Sequence, residues 1–509
     1  MFIMRVVFRI LIFLLSAFFL GSCEKESELI VFEDYNFMSL LINKGIDTDG
    51  DGSISYSEAQ AVKVLNLDGC GIYDMKGIEF FINLENLECR SNQLTSLDLS
   101  NNTSLESLDC SSNAITRLVL ANNPDLQILL CSYNKISSLN LSNKPDLKRL
   151  DCESNLIMAL NVNANPVLTF LSVKYNSLVR LDILKNLALD SVECSENSLT
   201  SLDVSNNTGL LFLSCYTNQL TALDLSKNAM IKDLICSGNQ LTSLDVSKNT
   251  DLKLLHCGGN LLTEIDVSNN KNLQELGLDY NAIKEFDVSN NTQLRELWCQ
   301  FTGLISLDVS KNTLLENLYC GYNQITRLDV SKNTALINLF CELNPITALD
   351  ASNSPNLDFI RLGGNQLTSL NVSKITHLKT LTCGDNFLTN LDVSDNLELI
   401  SLYCNDNGLT SLDVSHNAQL GTLDCSNNKL TELDITNNAH LLGLYCGNNS
   451  LANLNIAENT DLNRLECPDM PTLQEVCVWK LPFPPTSYNI IYVNTTGSPN
   501  VTFTNACSF

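Results

Sequence analysis

The chain has 509 residues, of which 44% are hydrophobic, 17% are charged and 20 are cysteine. Its 57 acidic and 31 basic residues give a formal net charge of −26, and such a surface repels nucleic-acid phosphates, which bind through Lys and Arg. Nucleic acid is therefore excluded as a partner, and the apolar content is too high for a disordered chain. Length alone would suggest about three domains, but internal repetition overrides that estimate.

The N-terminus carries an export signal. Residues 1–22 combine Arg5 and Arg9 with an apolar run that is too short to span a bilayer, so this segment is expected to be removed. The sequence Leu-Gly-Ser-Cys at 20–23 resembles the lipobox of bacterial lipoproteins, and an ordinary secretory signal with a chance cysteine is the alternative. The resemblance implies that Cys23 is lipidated and that the lipid is the only membrane contact.

Acidic residues follow directly, in the sequence Glu-Lys-Glu-Ser-Glu at 24–28. This segment resembles the tag that sends some Bacteroidota lipoproteins to the outer face of the outer membrane. We therefore expect a lipid-anchored protein that faces the cell exterior.

Residues 47–58 fit a twelve-residue EF-hand-like calcium loop, although a solvated acidic turn is the alternative. The expected ligands are Asp47, Asp49, Asp51, the Ser53 carbonyl, Ser55 and a bidentate Glu58. Helices are predicted on both flanks, over 33–43 and 57–65. Because the loop is single, we expect one structural calcium ion that orders a tether and N-terminal cap over residues 23–61.

A repeat of 21 residues runs without insertion from Cys89 to Cys467, which gives nineteen equivalent rungs. Its first half reads L-x-x-L-x-C-x-x-N, as in residues 105–113, and its second half reads L-D-V-S-x-N, as in residues 202–207. Both halves match the leucine-rich-repeat strand signature. The predicted fold is an α/β-to-β solenoid with a parallel sheet over residues 62–467.

Asparagine occupies the third position after the rung cysteine, and Thr302 is the exception among eighteen turns. A buried Asn there can satisfy backbone groups where the strand turns away, so its role is structural. In the first turn Cys70 takes this position and is expected to lie in the core.

These repeats resemble the cysteine-ladder repeats of the internalin-type leucine-rich-repeat family, over about residues 62–467. The resemblance implies an extracellular binding or adhesion surface. The lipid anchor, the calcium loop and the lack of a cell-wall sorting signal depart from that family, so the host-cell role of internalins does not transfer.

Sixteen cysteines lie in the rung column, where Val173, Leu278 and Leu362 replace them in the other three rungs. These purely apolar replacements indicate a core position that a buried thiol suits. The runs contain four, four, three and five cysteines, so odd runs cannot all be paired, and a linear stack offers no tetrahedral metal site. Buried thiols are the preferred interpretation, ahead of disulfides and of metal binding or catalysis.

The C-terminal residues 468–509 read as a small β cap with short strands over 476–481, 489–494 and 500–505. Cys477 and Cys507 lie outside the ladder, and in an exported protein they are a plausible disulfide. A cap is needed because an exposed last strand invites edge-to-edge pairing.

The residues just before the rung cysteines are expected to point outward on a concave sheet, and aromatic residues cluster in the middle of this column. The predicted ligand-binding residues are Trp298, Phe301, Tyr319, Tyr322, Phe340 and Arg361. Such exposed aromatic residues and Arg are frequent interface hot spots. The alternative is an aromatic ladder that stabilises neighbouring strands.

Catalysis is not expected, because the four histidines lie on different turns without a distinctive nucleophile or base beside them. The aspartates of the L-D-V-S column are read as turn acceptors, and further calcium binding there stays open. We therefore predict a non-catalytic surface protein that binds a protein or glycan. The alternative is a structural envelope protein that self-associates through the solenoid face.

Overall fold

The structure, a computed structural model, describes residues 29–484 and 492–507. The chain divides after Ser198 into two compact units. The predicted signal peptide and the predicted lipidation site Cys23 lie outside the described residues. Among the residues that the structure describes, no helix has the length and apolar character that a membrane span requires.

The first unit begins with a helical cap. Helix α1 spans Tyr35–Asn43 and α2 spans Tyr56–Ala61, while a single 3-10 turn covers Ile78–Phe80. Buried Asp34 caps α1, and its second carboxylate oxygen accepts hydrogen bonds from the backbone N–H groups of Tyr73 and Asp74 at 2.6 and 3.2 Å. This carboxylate therefore ties the cap to the first turn of the repeats.

The predicted second helix, residues 57–65, is wrong at its C-terminal end, because the chain becomes extended at Val62 and a strand starts at Val64. All strands of the first unit contain three residues. They are β1 (Val64–Asn66), β2 (Asn86–Glu88), β3 (Ser96–Asp98), β4 (Ser107–Asp109), β5 (Arg117–Val119), β6 (Ile128–Leu130), β7 (Arg149–Asp151), β8 (Phe170–Ser172) and β9 (Ser191–Glu193). Strands β1, β2, β4, β6, β7, β8 and β9 form one parallel sheet in that order, and β3 pairs with β5 on the second half of the turns.

The second unit repeats this arrangement with strands of the same length. They are β10 (Phe212–Ser214), β11 (Asp233–Ile235), β12 (Leu254–His256), β13 (Glu275–Gly277), β14 (Glu296–Trp298), β15 (Asn317–Tyr319), β16 (Asn338–Phe340), β17 (Ala348–Asp350), β18 (Phe359–Arg361), β19 (Ser369–Asn371), β20 (Thr380–Thr382), β21 (Ser401–Tyr403), β22 (Thr422–Asp424), β23 (Gly443–Tyr445), β24 (Asn453–Asn455), β25 (Arg464–Glu466), β26 (Glu475–Cys477), β27 (Tyr492–Asn494) and β28 (Thr502–Thr504). Strands β17 and β19, and then β24, β26 and β28, form the pairings of the second half-turn. The others form one parallel sheet in chain order.

The predicted solenoid is confirmed by the strand register. Leu297 lies opposite Leu318, and Leu318 lies opposite Leu339, so equivalent residues 21 apart are paired. The central residue of each of these strands is fully buried, and burying a Leu side chain stabilises the fold by roughly 1.5–3 kcal/mol. One turn alone could not bury these leucines, and the core therefore exists only between stacked turns.

The cysteine ladder is confirmed as well. All sixteen rung cysteines are completely buried, and the structure holds them as thiols. Burial raises the pKa of the Cys215 and Cys257 thiols to about 12. Cys70 differs from the expectation of a core position: it is half-buried, and its Sγ lies 3.2 Å from the Asp68 carbonyl oxygen.

The predicted asparagine column holds the turns together, as Asn260 illustrates. Its amide nitrogen donates to the carbonyls of Cys236 and Cys257 at 3.0 Å, and its oxygen accepts from the Leu241 N–H at 3.0 Å. A second asparagine column lies in the L-D-V-S-x-N half, where fully buried Asn270 donates to the carbonyls of Val246 and Asn249 at 3.0 and 2.8 Å. Lys144 replaces Asn in this column, and its ammonium donates to the Leu120 carbonyl at 2.6 Å.

The C-terminal residues extend the two sheets by further strands rather than folding separately. Strand β27 pairs with β25, and β28 pairs with β26. The structure joins Cys477 to Cys507 as a disulfide with a Cα–Cα distance of 5.5 Å. This link ties the chain end to β26.

Candidate functional site

Three aromatic side chains lie side by side on consecutive strands of the second unit. Trp298 on β14, Tyr319 on β15 and Phe340 on β16 are direct neighbours in the register. The Trp298 and Tyr319 rings are parallel with centroids 5.7 Å apart, and Phe340 meets Tyr319 edge-on at 5.0 Å. All three are half-buried. The rings of this strand row therefore shield one another from solvent, as expected for an aromatic ladder that stabilises neighbouring strands.

The strand row has a polar residue at each end. Arg361 on β18 places its guanidinium carbon 4.6 Å from the centroid of the Phe340 ring, within the range of cation–π attraction. His256 meets Trp298 edge-on at 5.3 Å, although the two residues are two turns apart. Gly277 lies between them, and a Cβ atom there would come within 3.1 Å of the His256 ring. Glycine thus allows this contact across a turn.

A second row of aromatic side chains stands two residues after the rung positions Leu278, Cys299 and Cys320. Phe301 stacks on Tyr322 with centroids 4.0 Å apart, and Tyr280 stacks on Phe301 at 4.6 Å. The exposed fractions are 62% for Tyr280, 38% for Phe301 and 42% for Tyr322. This turn row is the more accessible one. Phe301 and Tyr322 were predicted from the sequence, whereas Tyr280 was not, although it stands one repeat of 21 residues before Phe301.

The turn row stands on an unfavourable backbone conformation. Tyr280, Phe301 and Tyr322 have φ of 53°, 54° and 56°, in the left-handed region, whereas two preceding turns carry Gly238 and Gly259 at this position. A left-handed conformation costs an L-residue roughly 1–2 kcal/mol. Most other turns have the same conformation at this position, for example at Ser91 and Glu196, so the backbone does not require aromatic residues here.

The asparagine column is interrupted within this cluster. Thr302 is buried, and its hydroxyl donates to the Cys299 carbonyl at 2.9 Å. The Asn323 oxygen accepts from the N–H groups of Thr302, Gly303 and Leu304 at 3.1, 2.9 and 3.1 Å. The segment after Phe301 is therefore anchored from the following turn.

Carboxylates surround the two rows. Partial burial raises the pKa of Asp279 to about 6, against the lowering effect of a 2.8 Å hydrogen bond from the Gln300 N–H. Burial raises the pKa of Glu296 too, and repulsion from Glu275 and Glu316 adds to this effect. Burial also raises the pKa of Glu342, one of whose carboxylate oxygens is buried without a hydrogen-bond partner in the described part of the chain.

The loop predicted to bind calcium brings three carboxylates together in the first unit. Oxygens of Asp47, Asp49 and Glu58 lie within 4.8 Å of one another. The Asp47 carboxylate accepts from the N–H groups of Gly50 and Gly52 at 2.7 and 2.9 Å, and these glycines have φ of 75° and 84°. The loop therefore turns as a calcium loop does.

The remaining predicted ligands of this loop have other partners. The Asp51 carboxylate accepts from the Ser53 N–H at 2.7 Å, and the Ser55 hydroxyl donates to Glu58 at 2.8 Å. Burial tends to raise the pKa of Glu58, but hydrogen bonds from Ser55 and Thr48 outweigh it and lower the pKa to about 2. Glu58 is consequently ionised, and it also closes the capping box of α2.

Parallel turns of 21 residues with buried leucine, cysteine and asparagine columns define a leucine-rich-repeat protein with a cysteine ladder. The similar solved structures include InlJ from Listeria monocytogenes, whose functional domain includes a cysteine ladder. It is 31% identical over 76% of this chain and 72% of its own, with a TM-score of 0.52. The chain belongs to the internalin-like family of leucine-rich-repeat proteins.

More distant structures share the fold alone. YopM from Yersinia enterocolitica is 22% identical over 89% of this chain and 97% of its own, with a TM-score of 0.64. The Arabidopsis receptor kinase HAESA, in complex with the peptide hormone IDA and the co-receptor SERK1, is 21% identical over 84% and 79%, also with a TM-score of 0.64. No protein-family model and no curated protein matches the chain.

Proposed function

We propose that the chain is a non-catalytic binding protein, anchored at the outer membrane through lipidated Cys23, that recognises a protein through the two aromatic rows. The turn row is the observation that carries this proposal. Three stacked aromatic side chains occupy strained backbone positions and stay 38–62% exposed. The stacking on successive turns sets this row apart from Tyr133, an exposed tyrosine with the same backbone conformation, and rigid aromatic clusters are frequent binding hot spots.

The family and the fold support a protein partner. The plant receptor HAESA, which has the same fold, is seen in complex with a peptide hormone and a co-receptor. Leucine-rich repeats place specificity in the variable outward positions, and in this chain the aromatic residues occupy those positions. A glycan ligand and self-association through the sheet are the competing outcomes.

A photo-crosslinking experiment separates these outcomes. A benzophenone amino acid replaces Tyr322 in one version of the protein and Tyr133, in the same column with φ of 54°, in the control. The protein is displayed on cells and exposed to the proteins of its surroundings. We expect a crosslinked protein partner from position 322 only, and its loss in the Trp298→Ala and Tyr319→Ala double variant.

Other results would contradict the proposal. Equal crosslinking from positions 322 and 133 would place the contact elsewhere. A crosslinked product made only of this chain would favour self-association.

The folding control is the melting temperature. Values for the variants within a few degrees of the parent protein would show that the variants remain folded.

We further propose that one calcium ion binds the loop at residues 47–58. The residues fit this ion, because calcium prefers carboxylate oxygens and three carboxylates converge in a loop that turns at Gly50 and Gly52. Asp47, Asp49 and Glu58 would hold the ion, and its charge would offset their mutual repulsion. The bound ion would stabilise the junction between the loop and α2.

A further inference from the structure

One end of the turn row has an uncovered ring face. Tyr280 and Phe301 are nearly parallel, with 10° between their planes, so one face of Tyr280 is occupied by Phe301. The other face points along the stacking direction toward the preceding turn, where the equivalent residue is Gly259. Glycine has no side chain to cover the ring, and Tyr280 is accordingly the most exposed of the three.

The surface in front of this face is a bare backbone step. Gly259 follows Gly238 in the same column, and a Cβ atom built on Gly259 would contact only backbone atoms of Gly238. Gly258 precedes it, and a Cβ there would lie 2.9 Å from the Asp279 carbonyl oxygen. The glycines thus form a floor, and Tyr280 forms a flat wall at its end. We call this arrangement the Tyr280 step.

Two carboxylates stand next to each other on the strands before this turn, because Glu275 on β13 lies opposite Glu296 on β14 in the register, and repulsion from Glu275 helps to raise the pKa of Glu296. Arg295 forms an ion pair with Glu316, and the His256 Nε2 atom lies 3.8 Å from the Glu275 Oε2 atom. Burial lowers the pKa of His256, which favours its neutral form. Within the described residues, neither Glu275 nor Glu296 forms an ion pair with Lys or Arg. An incoming cation would relieve the repulsion between these carboxylates.

We infer that the partner presents an arginine to the Tyr280 step, with further basic residues running over Glu275 and Glu296. Arginine fits both features, because its planar guanidinium stacks on an aromatic face and its fork of N–H groups binds carboxylates. The glycine floor lets a side chain or an extended backbone approach the ring. This inference rests on the proposed function and adds the chemistry of the partner to it.

The test uses two fluorescein-labelled peptides and the full-length protein. One peptide is Gly-Gly-Arg-Gly-Arg-Gly amide, and in the other citrulline replaces arginine, which preserves the shape and removes the charge. Fluorescence anisotropy measures the affinity for each. We expect the arginine peptide to bind at least about tenfold more tightly than the citrulline peptide, in line with the strength of a partly desolvated cation–π contact plus carboxylate pairing.

Matched variants locate the binding. Tyr280→Ala and Gly259→Asn should each weaken binding of the arginine peptide about tenfold, since Asn tolerates a positive φ and its side chain fills the floor. Tyr133→Ala, in the same column and 57% exposed, is the control for Tyr280→Ala. The double variant Glu275→Gln and Glu296→Gln tests the two carboxylates. Its control is the double variant Asp245→Asn and Asp266→Asn, which removes the same charge from the L-D-V-S column.

The outcomes are decisive in both directions. Equal affinity for the two peptides, no binding of either, or equal weakening by the control variants would overturn the arginine inference. If position 322 still crosslinks to a protein when the arginine inference fails, the proposed function stands without that inference. If the crosslink is absent too, the proposed function fails as well. Binding of a neutral glycan array at the Tyr280 step would replace the arginine by a sugar.

Discussion

Alkylation of the cysteine ladder with iodoacetamide at pH 8 tests the packing of the repeats directly. Burial raises the pKa of Cys215, Cys257, Cys383 and Cys425 to about 12, compared with 9.0 for an ordinary thiol. At pH 8 the fraction of each buried cysteine present as the reactive thiolate is then about one in ten thousand, compared with about one in ten for an ordinary thiol. Ionisation alone should therefore slow alkylation about a thousandfold, and complete burial slows it further.

The assay counts modified cysteines by mass spectrometry over time. In the folded protein we expect one fast site within residues 29–507, Cys70, which is half-buried. The Cys70→Ser variant should lack it. In 6 M guanidinium chloride all sixteen rung cysteines should react, while Cys477 and Cys507 should react only after reduction. Rapid modification of most rung cysteines without denaturant would refute the packing described above.

Four further measurements address individual contacts. Asn260→Ala should lower the free energy of unfolding by about 3 kcal/mol, measured by urea denaturation, because it leaves several buried backbone groups without partners. Lys144→Asn should raise the melting temperature, because burial disfavours the charged lysine and lowers its pKa, and Asn restores the column. An unchanged melting temperature would mean that the hydrogen bonds of the ammonium offset its burial. Burial raises the pKa of Asp279 in the folded state to about 6, so the contribution of the protonated carboxyl to stability is complete below about pH 4 and is lost as the pH rises through 6. The Asp279→Asn variant should therefore show a flatter dependence of melting temperature on pH between 4 and 6, and an unchanged dependence would contradict the raised pKa. Calcium at about one hundred times its dissociation constant should stabilise the protein by about 2.7 kcal/mol, and a chelator should reverse the effect; Asp49→Asn should abolish both responses.

Much of the fold could be predicted from the sequence because the repeat is constrained by two simple periods. A spacing of 21 residues fixes which residues stack, and alternation within the strand fixes which ones face the core. For this reason the burial of the rung cysteines and of Asn260 followed directly from their columns. The lipid anchor, the calcium ion and the partner stay predictions.

The deviations arose where local geometry departs from the repeat. Cys70 stands in the first turn, which is preceded by the helical cap instead of another repeat, and it is only half-buried. Helix α2 ends at Ala61 because the strand β1 must begin soon afterwards to pair with β2. Both effects depend on the neighbours of a terminal turn, which the period does not describe.

The ring contacts of the site were equally inaccessible to the sequence argument. Column positions placed Trp298, Tyr319 and Phe340 together, but the choice between parallel and edge-on contacts depends on side-chain torsions. The contact of His256 with Trp298 across Gly277 likewise depends on side-chain positions that the repeat pattern does not fix. Tyr280 stands on a turn whose strand carries Gly277 instead of an aromatic residue, so the strand column gave no signal for it.

Equal turns of 21 residues also bear on how such a gene can change its length. Unequal recombination between repeats adds or deletes a whole turn, and each added strand finds equivalent neighbours on both sides. The same event between Trp298 and Phe340 would separate rings that must be adjacent. Relatives of different length should therefore gain and lose turns outside residues 256–361, so that the proposed binding surface is inherited as one uninterrupted block.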